Sequence, residues 1–218
     1  NYLINDLKVD PNKICVIPSA SSINLKFKKL LNNKRYNIGY FGSLEESKGS
    51  KFIIKLSKLD KKNNYFIYGG SAEQVERFKE KYKNTNLNFC GYVPYGKIKL
   101  YLSRMDILLM PSNNKLLRAT GGVGNLAMFT SPLKLFDYMA SGKLIIASNL
   151  KVFKEVIQHN ENCVIINNLN IVAWSNAINK IRNNIKMYNK IKKKAYLLSK
   201  QYTYLIRAKK ILKNIDLK

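Results

Sequence analysis

Polar side chains in residues 131–137 are spaced so that one helix could hold a nucleotide diphosphate. Ser131, Lys134 and Asp137 fall on consecutive helical turns. The free N–H groups of a first helical turn and the positive end of the helix dipole favour a phosphate, and Lys134 adds positive charge there. Asp137 lies about 9 Å along the axis from Ser131, at roughly 1.5 Å per residue. That offset is near the distance between a diphosphate and the ribose hydroxyls, so we expect the helix to bind both.

The flanking residues predict where this helix begins and ends. Ser131 is a favoured N-cap, and Pro132 suits the first helical position. Gly142 is typical of the residue that ends a helix. The apolar run 144–147 then predicts a strand that is buried on both faces.

The rest of the chain alternates between strand and helix patterns. Strands are predicted near 14–17, 37–42, 64–69, 86–90, 106–110, 144–147 and 163–166, and helices near 48–60, 71–83, 95–103, 131–141, 150–157 and from 170 onward. This alternation predicts an α/β fold, a Rossmann-like parallel sheet with helices on both faces followed by C-terminal helices. Four turns follow predicted strand ends: Gly42-Ser43, Gly69-Gly70, Gly91-Tyr92 and Pro111-Ser112. We expect them to line one crevice.

Composition limits the class of protein. A chain of 218 residues, 46% of them hydrophobic, is long enough for one domain with an appendage. No apolar run is long enough to span a membrane, and the start has no signal-peptide pattern. The first residue is Asn, so we expect the chain to begin inside a longer protein. Cys15, Cys90 and Cys163 lie in apolar segments and are expected to be buried free thiols in a reducing cytoplasm. With His159 as the single histidine, no zinc site is expected.

The formal net charge of +26 has several possible meanings. Nucleic acid, an anionic membrane or a polyanionic substrate would each attract such a chain. A biased base composition in the source genome would also enrich Lys, Asn, Ile and Tyr together. No motif of a nucleic-acid-binding fold is visible, so nucleic acid is the less favoured partner. In the basic segment 180–218, apolar residues recur every three or four positions. This pattern indicates either an interfacial helix that attracts anionic lipid or a helix packed on the domain with a solvated basic face.

Four segments resemble, in order, parts of the donor-binding half of GT4-like (group 1) retaining GT-B glycosyltransferases. The segments are YFGSLEESKG (40–49), FCGYVP (89–94), MDILLMPS (105–112) and SPLKLFDYMASGKLIIAS (131–148). They resemble that family's phosphate loop, its base-contacting loop, its Pro-Ser strand end and its nucleotide-binding helix. The resemblance covers roughly residues 14 to 215. It implies that residues 1–30 are the tail of an N-terminal acceptor domain and a linker, that 31–180 bind the nucleotide sugar, and that 181–218 form basic C-terminal helices.

The resemblance also assigns roles to residues. It implies that Lys48 and Lys134, with the first-turn amides near Ser131, Pro132 and Leu133, stabilise the departing diphosphate. It implies that Asp137, where relatives have Glu, holds the ribose. The remaining implied contacts are Gly42 and Ser43 with the diphosphate, Tyr92 and Val93 with the base, and Gly124 and Asn125 with the sugar. Many relatives carry Arg in place of Ser43 and Glu in place of Phe129, so two family ligands are absent.

The implied function is transfer of a hexosyl group from a UDP- or GDP-linked sugar to a glycan or lipid-linked acceptor. The resemblance implies a retaining, metal-independent reaction without cofactor, in bacterial surface-polysaccharide synthesis. The enzyme would be cytoplasmic, with possible peripheral membrane contact, and inactive without its N-terminal GT-B domain. The alternatives are a non-catalytic nucleotide-sugar-binding subunit or degenerate domain and, less favoured, a basic nucleic-acid-binding domain.

Overall fold

Six parallel strands form a single sheet in the computed structural model, which describes residues 2–5, 7–44, 49–112, 132–167 and 169–215. The strands are β1 (Asn37–Phe41), β2 (Asn64–Tyr68), β3 (Leu87–Gly91), β4 (Ile107–Met110), β5 (Leu144–Ser148) and β6 (Val164–Ile166). Their order in the sheet is β3-β2-β1-β4-β5-β6, and every neighbouring pair is parallel. The strand order reverses between β1 and β4. In this architecture, ligands bind beyond the carboxyl ends of the strands at that reversal.

The helices follow the strands along the chain. They are α1 (Tyr2–Asn5), α2 (Ser50–Leu59), α3 (Ala72–Lys81), α4 (Tyr95–Ser103), α5 (Leu133–Ala140), α6 (Ile171–Asn183), α7 (Ile185–Ser199) and α8 (Tyr204–Ile215), with a short 3-10 turn at Pro11–Lys13. The predicted α/β class with a parallel sheet is confirmed.

Apolar side chains alternate between the two faces of the sheet. In β1, Ile38 and Tyr40 join a core cluster with Trp174 of α6, whereas Phe41 joins a second cluster with Leu135 of α5. Helices therefore cover both faces, which explains the nearly continuous apolar strands. The central strands β4 and β5 are buried at every position.

Two predicted elements are wrong. Residues 14–17 are not a strand: no strand in the described part of the chain pairs with them, and Val16 is 82% exposed. An apolar run without a neighbouring strand has no ladder to join. The predicted helix at 150–157 is a series of turns, with the N–H of Phe153 bonded to the Leu150 carbonyl oxygen. These turns already bury Leu150 and Phe153, so the apolar pattern does not need a helix.

The cysteines are free, as predicted, but Cys163 alone is buried. Cys90 lies on the edge strand β3, whose alternate residues point outward, and Cys15 lies in the unpaired extended segment. The prediction that all of them are buried is therefore wrong for Cys15 and Cys90. A period-two strand on a sheet edge exposes every second side chain.

The C-terminal apolar stripe divides into two parts. Tyr188 and Ile191 of α7 are buried in the core, and α7 packs against α5 and β5. On α8, by contrast, Leu205 and Leu212 are 67% and 59% exposed. The packed-helix interpretation thus describes α7, whereas α8 presents apolar side chains outward. None of the helices described combines the length and apolarity that a membrane crossing requires.

Candidate functional site

The turns after β1, β2 and β3 lie against each other through their main chains. The N–H of Gly42 donates to the Tyr68 carbonyl oxygen at 2.8 Å, and the N–H of Gly69 donates to the Gly91 carbonyl oxygen at 2.6 Å. A Cβ atom on Gly69 would stand 2.0 Å from the Gly42 carbonyl oxygen, and its φ is +139°. Glycine is therefore required there, and main chain rather than side chains forms this part of the edge.

The end of β4 joins the same edge. The N–H of Ser112 donates to Ser148 Oγ at 2.9 Å, which connects the ends of β4 and β5. Gly49, the N-cap of α2, has φ +90°, and a Cβ atom there would meet the Pro111 carbonyl oxygen at 2.4 Å. The first turn of α2 therefore begins beside the end of β4, at the reversal of strand order. The turns that were expected to line one crevice do lie along one edge.

Lys134 lies over the end of β1. Its Nζ atom is 4.6 Å from the centroid of the Tyr40 ring, and a Cβ atom on Gly42 would be 2.8 Å from Nζ. The ammonium group is thus held at the reversal, where Lys134 Nζ and the Tyr40 hydroxyl both lie close to Gly42. This arrangement places a positive charge beside the main chain of the turn, a combination that favours an anion such as phosphate.

The start of α5 differs by one residue from the prediction. Pro132 is the N-cap with ψ 75° rather than the first helical residue, and Leu133 begins the helix with 61% of its surface exposed. Since Pro lacks an N–H group, the first free amide of the helix belongs to Leu133. Lys134 remains in the first turn, as predicted.

A buried tyrosine fixes α5 to the sheet. The N–H of Phe41, the last residue of β1, donates to Tyr138 Oη at 2.9 Å. Burial raises the pKa of Tyr138, so its phenol stays protonated. Sequence reasoning missed the roles of Tyr138 and Tyr40, because each depends on a contact between β1 and α5 that no local pattern encodes.

The Asp137 carboxylate is buried and hydrogen-bonded at one oxygen. Oδ1 accepts from Ser21 Oγ at 2.6 Å and from Tyr95 Oη at 3.0 Å. Tyr95 in turn accepts from Ser22 Oγ at 3.2 Å. Burial raises the pKa of Asp137 above its ordinary value, although the two hydrogen bonds oppose this shift. Neither Ser21 nor Tyr95 carries a sequence signal for this role.

Replacing Asp137 with Asn is expected to increase stability slightly at pH 7.5 while lowering the affinity for a nucleoside diphosphate about tenfold. A raised carboxyl pKa contributes stability below the unfolded-state pKa, and that contribution is lost as pH rises through the folded-state pKa. Asn keeps an acceptor for Ser21 and Tyr95 but carries no charge. Thermal unfolding and calorimetric titration with UDP measure the two effects.

Asp60→Asn is the matched control, because Asp60 is also buried and accepts from the hydroxyl of Tyr65 at 2.7 Å. It follows α2, at the opposite end of that helix from the crevice. Unchanged UDP affinity is expected for this variant. If Asp137→Asn lowers the melting temperature and leaves UDP affinity unchanged, Asp137 has a purely structural role.

Other predicted ligands are less closely grouped. Ser43 follows Gly42 in the turn, and its Oγ atom is buried without a partner among the residues described. Tyr92 is 75% exposed and lines a cavity of about 380 Å³ beyond β2 and β3. Val93 is half-buried against the core. Tyr92 therefore lies at the edge strand, two positions from β1 in the sheet.

The remaining predicted ligands, Lys48, Gly124, Asn125 and Ser131, lie outside the residues that the structure describes, as does Phe129. Within the described ranges, no group of three or more His, Cys, Asp or Glu side chains is arranged to hold a metal ion.

The strand order and the residues at its reversal define a doubly wound, Rossmann-like class of protein. The chain belongs to the glycosyl transferases group 1 family, whose model matches residues 21–198. It is 28% identical over 118 residues to an uncharacterized 41.2 kDa protein in the cps region of Klebsiella pneumoniae, over 49% of this chain and 32% of that protein.

Solved glycosyltransferases share the fold. A glycosyltransferase from Rickettsia africae superposes with a TM-score of 0.73 at 18% identity, over 97% of this chain and 59% of that one. Anabaena HepE, solved with UDP and glucose, gives 0.67 at 14% identity, over 85% of this chain and 49% of that one. S. aureus TarM, solved with UDP among its ligands, gives a TM-score of 0.69 at 19% identity, over 95% of this chain and 40% of that one. The chain thus spans about half of HepE and a third of the Klebsiella protein.

Proposed function

We propose that this chain is the donor-binding half of a retaining, GT4-like hexosyltransferase. The observation that carries the proposal is the placement of α5. Its first turn brings Lys134 to the reversal of strand order above Gly42, and the next turn carries the Asp137 carboxylate. Family membership and the fold of the glycosyltransferases that match it support this function.

The diphosphate would lie against Lys134 and the main-chain turn at Gly42, which are adjacent at the reversal. There the ammonium group and the first free amide of α5 would stabilise the negative charge that develops on the departing nucleotide. Lys48 and the hydroxyl of Ser43 would add donors from the loop after β1. These positive groups would make the reaction independent of metal.

The ribose would bind Asp137 through Oδ2. Both hydrogen bonds that this carboxylate accepts within the described residues go to Oδ1, and the neighbouring hydroxyl groups of Ser21 and Tyr95 fix its position. A ribose hydroxyl donating to Oδ2 would form a charge-assisted hydrogen bond. Gly91, Tyr92 and Val93 would contact the base, and Gly124 and Asn125 the sugar.

We propose a UDP- or GDP-linked donor, and the ligands in the HepE and TarM structures favour UDP. The acceptor would be a glycan or lipid-linked glycan in bacterial surface-polysaccharide synthesis. It would be held by an N-terminal GT-B domain, for which residues 1–30 would provide the tail and linker. Catalysis would take place in the cytoplasm, where free thiols such as Cys163 persist.

Calorimetric titration with UDP, GDP and CMP tests the proposal. We expect saturable binding of UDP or GDP, weaker binding of CMP, and little turnover by this half alone. If none of these nucleotides binds to the folded chain, the proposal is wrong. If a donor binds but no transfer occurs after the N-terminal half is supplied, the chain is a non-catalytic nucleotide-sugar-binding subunit.

A further inference from the structure

A basic cavity of about 460 Å³ lies at the amino edge of the sheet. Its lining includes Ser103, which ends α4 shortly before β4, and Gly142 and Lys143, which directly precede β5. The proposed diphosphate crevice lies at the opposite, carboxyl edge. Helix α5 separates the two, since its first turn carries Lys134 and its last turn leads into Gly142.

The charges that line this cavity have one sign in the described part of the chain. Lys26, Lys28, Lys99 and Lys143 line it, and none of the described Asp or Glu residues does. Among the residues described, no carboxylate lies within ion-pairing distance of these four lysines. Asp106 contributes a nearby negative charge, but its Oδ2 atom accepts from the N–H of Asn37 at 2.8 Å.

Some of the lysine ammonium groups at this cavity donate hydrogen bonds to main-chain carbonyl oxygens of the described residues, and others do not. Lys143 Nζ donates to the Ser103 carbonyl oxygen at 2.7 Å, which caps the end of α4. Lys192 does not line the cavity; the residue is 3% exposed, and its Nζ atom donates to the Lys28 carbonyl oxygen at 2.9 Å. Burial, together with the charge of Lys143, lowers the pKa of Lys192 to about 8. The exposed ammonium groups of Lys26, Lys28 and Lys99 therefore add to a positive charge that Asp106 offsets only in part.

One wall of the cavity is formed by contacts between α7 and the segment before β1. Tyr196 Oη donates to the Leu25 carbonyl oxygen at 2.9 Å, and the Tyr196 ring lies 5.5 Å from that of Phe27. Gly142 has φ +64°, and a Cβ atom there would meet the Tyr196 ring at 3.2 Å and the Phe27 ring at 3.3 Å. These contacts thus hold the backbone that carries Lys26 and Lys28 against α7 and the end of α5.

We propose that this cavity binds a phosphate group, either of a soluble phosphate or of a phospholipid headgroup. Exposed ammonium groups around a concave space can donate hydrogen bonds to a phosphate, and an anion there would relieve the repulsion among Lys143, Lys192 and the lining lysines. The proposal is independent of nucleotide binding, because the cavity and the crevice lie at opposite edges of the sheet.

Titration of the ¹⁵N-labelled chain with inorganic pyrophosphate at constant ionic strength tests the proposal. The amide signals of Gly142 and Lys143 are expected to shift and saturate. In the variant Lys26→Gln/Lys28→Gln/Lys99→Gln, the affinity read from these signals should fall at least tenfold. The signals of Gly42 and Gly69 report the crevice separately.

The matched control carries the same change of charge outside the cavity, as Lys186→Gln/Lys190→Gln/Lys193→Gln on the exposed face of α7. Its pyrophosphate affinity at Gly142 should stay within twofold. If the Gly142 and Lys143 signals do not saturate, or if both triple variants weaken binding equally, the proposal is wrong.

Vesicle flotation distinguishes the two sources of phosphate. Vesicles of phosphatidylglycerol and phosphatidylcholine are compared with phosphatidylcholine alone. If the cavity variant loses binding to the anionic vesicles and the control variant keeps it, the ligand is a lipid headgroup. Saturation by pyrophosphate without vesicle binding identifies a soluble phosphate.

Discussion

Replacing Gly69 with alanine is expected to lower the free energy of unfolding by about 3 kcal/mol. Its φ of +139° is a conformation that residues with a Cβ rarely adopt, and the new atom would stand 2.0 Å from the Gly42 carbonyl oxygen. The turns after β1 and β2 would have to separate. Because Gly42 borders the proposed diphosphate crevice, UDP affinity should fall as well. Urea unfolding and calorimetry measure the two effects.

Gly96→Ala is the control for this experiment. Gly96 lies inside α4, and a Cβ atom there would meet no atom within 4 Å. Alanine is expected to leave stability unchanged or to raise it by up to about 1 kcal/mol, since it is the better helix former. Equal stability of the Gly69 and Gly96 variants would contradict the close approach of the two turns.

Replacing Lys134 with methionine is expected to weaken UDP binding about 10- to 100-fold, the equivalent of one charge-assisted hydrogen bond of about 1.5–3 kcal/mol. Methionine keeps an apolar stem beside the Tyr40 ring and removes the charge. A small decrease in melting temperature is expected, because the change removes the contact between the ammonium group and the Tyr40 ring at the edge of the sheet. Calorimetric titration with UDP measures the affinity.

The control is Lys190→Met, which removes one positive charge from the exposed surface of α7. UDP affinity should then change less than twofold at moderate salt, because distant surface charges are screened. If the two variants bind UDP equally well, Lys134 does not contact the diphosphate. The site must then be reassigned, although the assignment of the chain to its family is unaffected.

Local patterns in the sequence predicted the elements that bring the crevice together. Alternation of apolar strands with helices was sufficient for the parallel sheet, and the turns after strand ends predicted its carboxyl edge. Such features depend on residues a few positions apart, where periodicity and capping preferences act. The same reasoning failed at residues 14–17 because an extended apolar run becomes a strand only when a partner strand is available.

The surroundings of the site residues could not be predicted in this way. The sequence predicts a ribose contact for Asp137, but not that its carboxylate is buried against Ser21, which lies 116 positions earlier. The exposure of Cys90 likewise depends on β3 being an edge strand, which is a property of strand order. Contacts of this kind are decided by the packing of whole elements, and no window of sequence contains them.

The hydrogen bonds at Asp137 also have a consequence for folding kinetics. One carboxylate oxygen joins α5 to the first residue of α4 and to Ser21, which is itself paired with Thr203 after α7. These contacts span nearly the whole chain, and contacts of high sequence separation form late because closing long loops costs entropy. A refolding chain should therefore regain secondary structure before it regains nucleotide binding, and the return of binding should follow the slowest refolding phase.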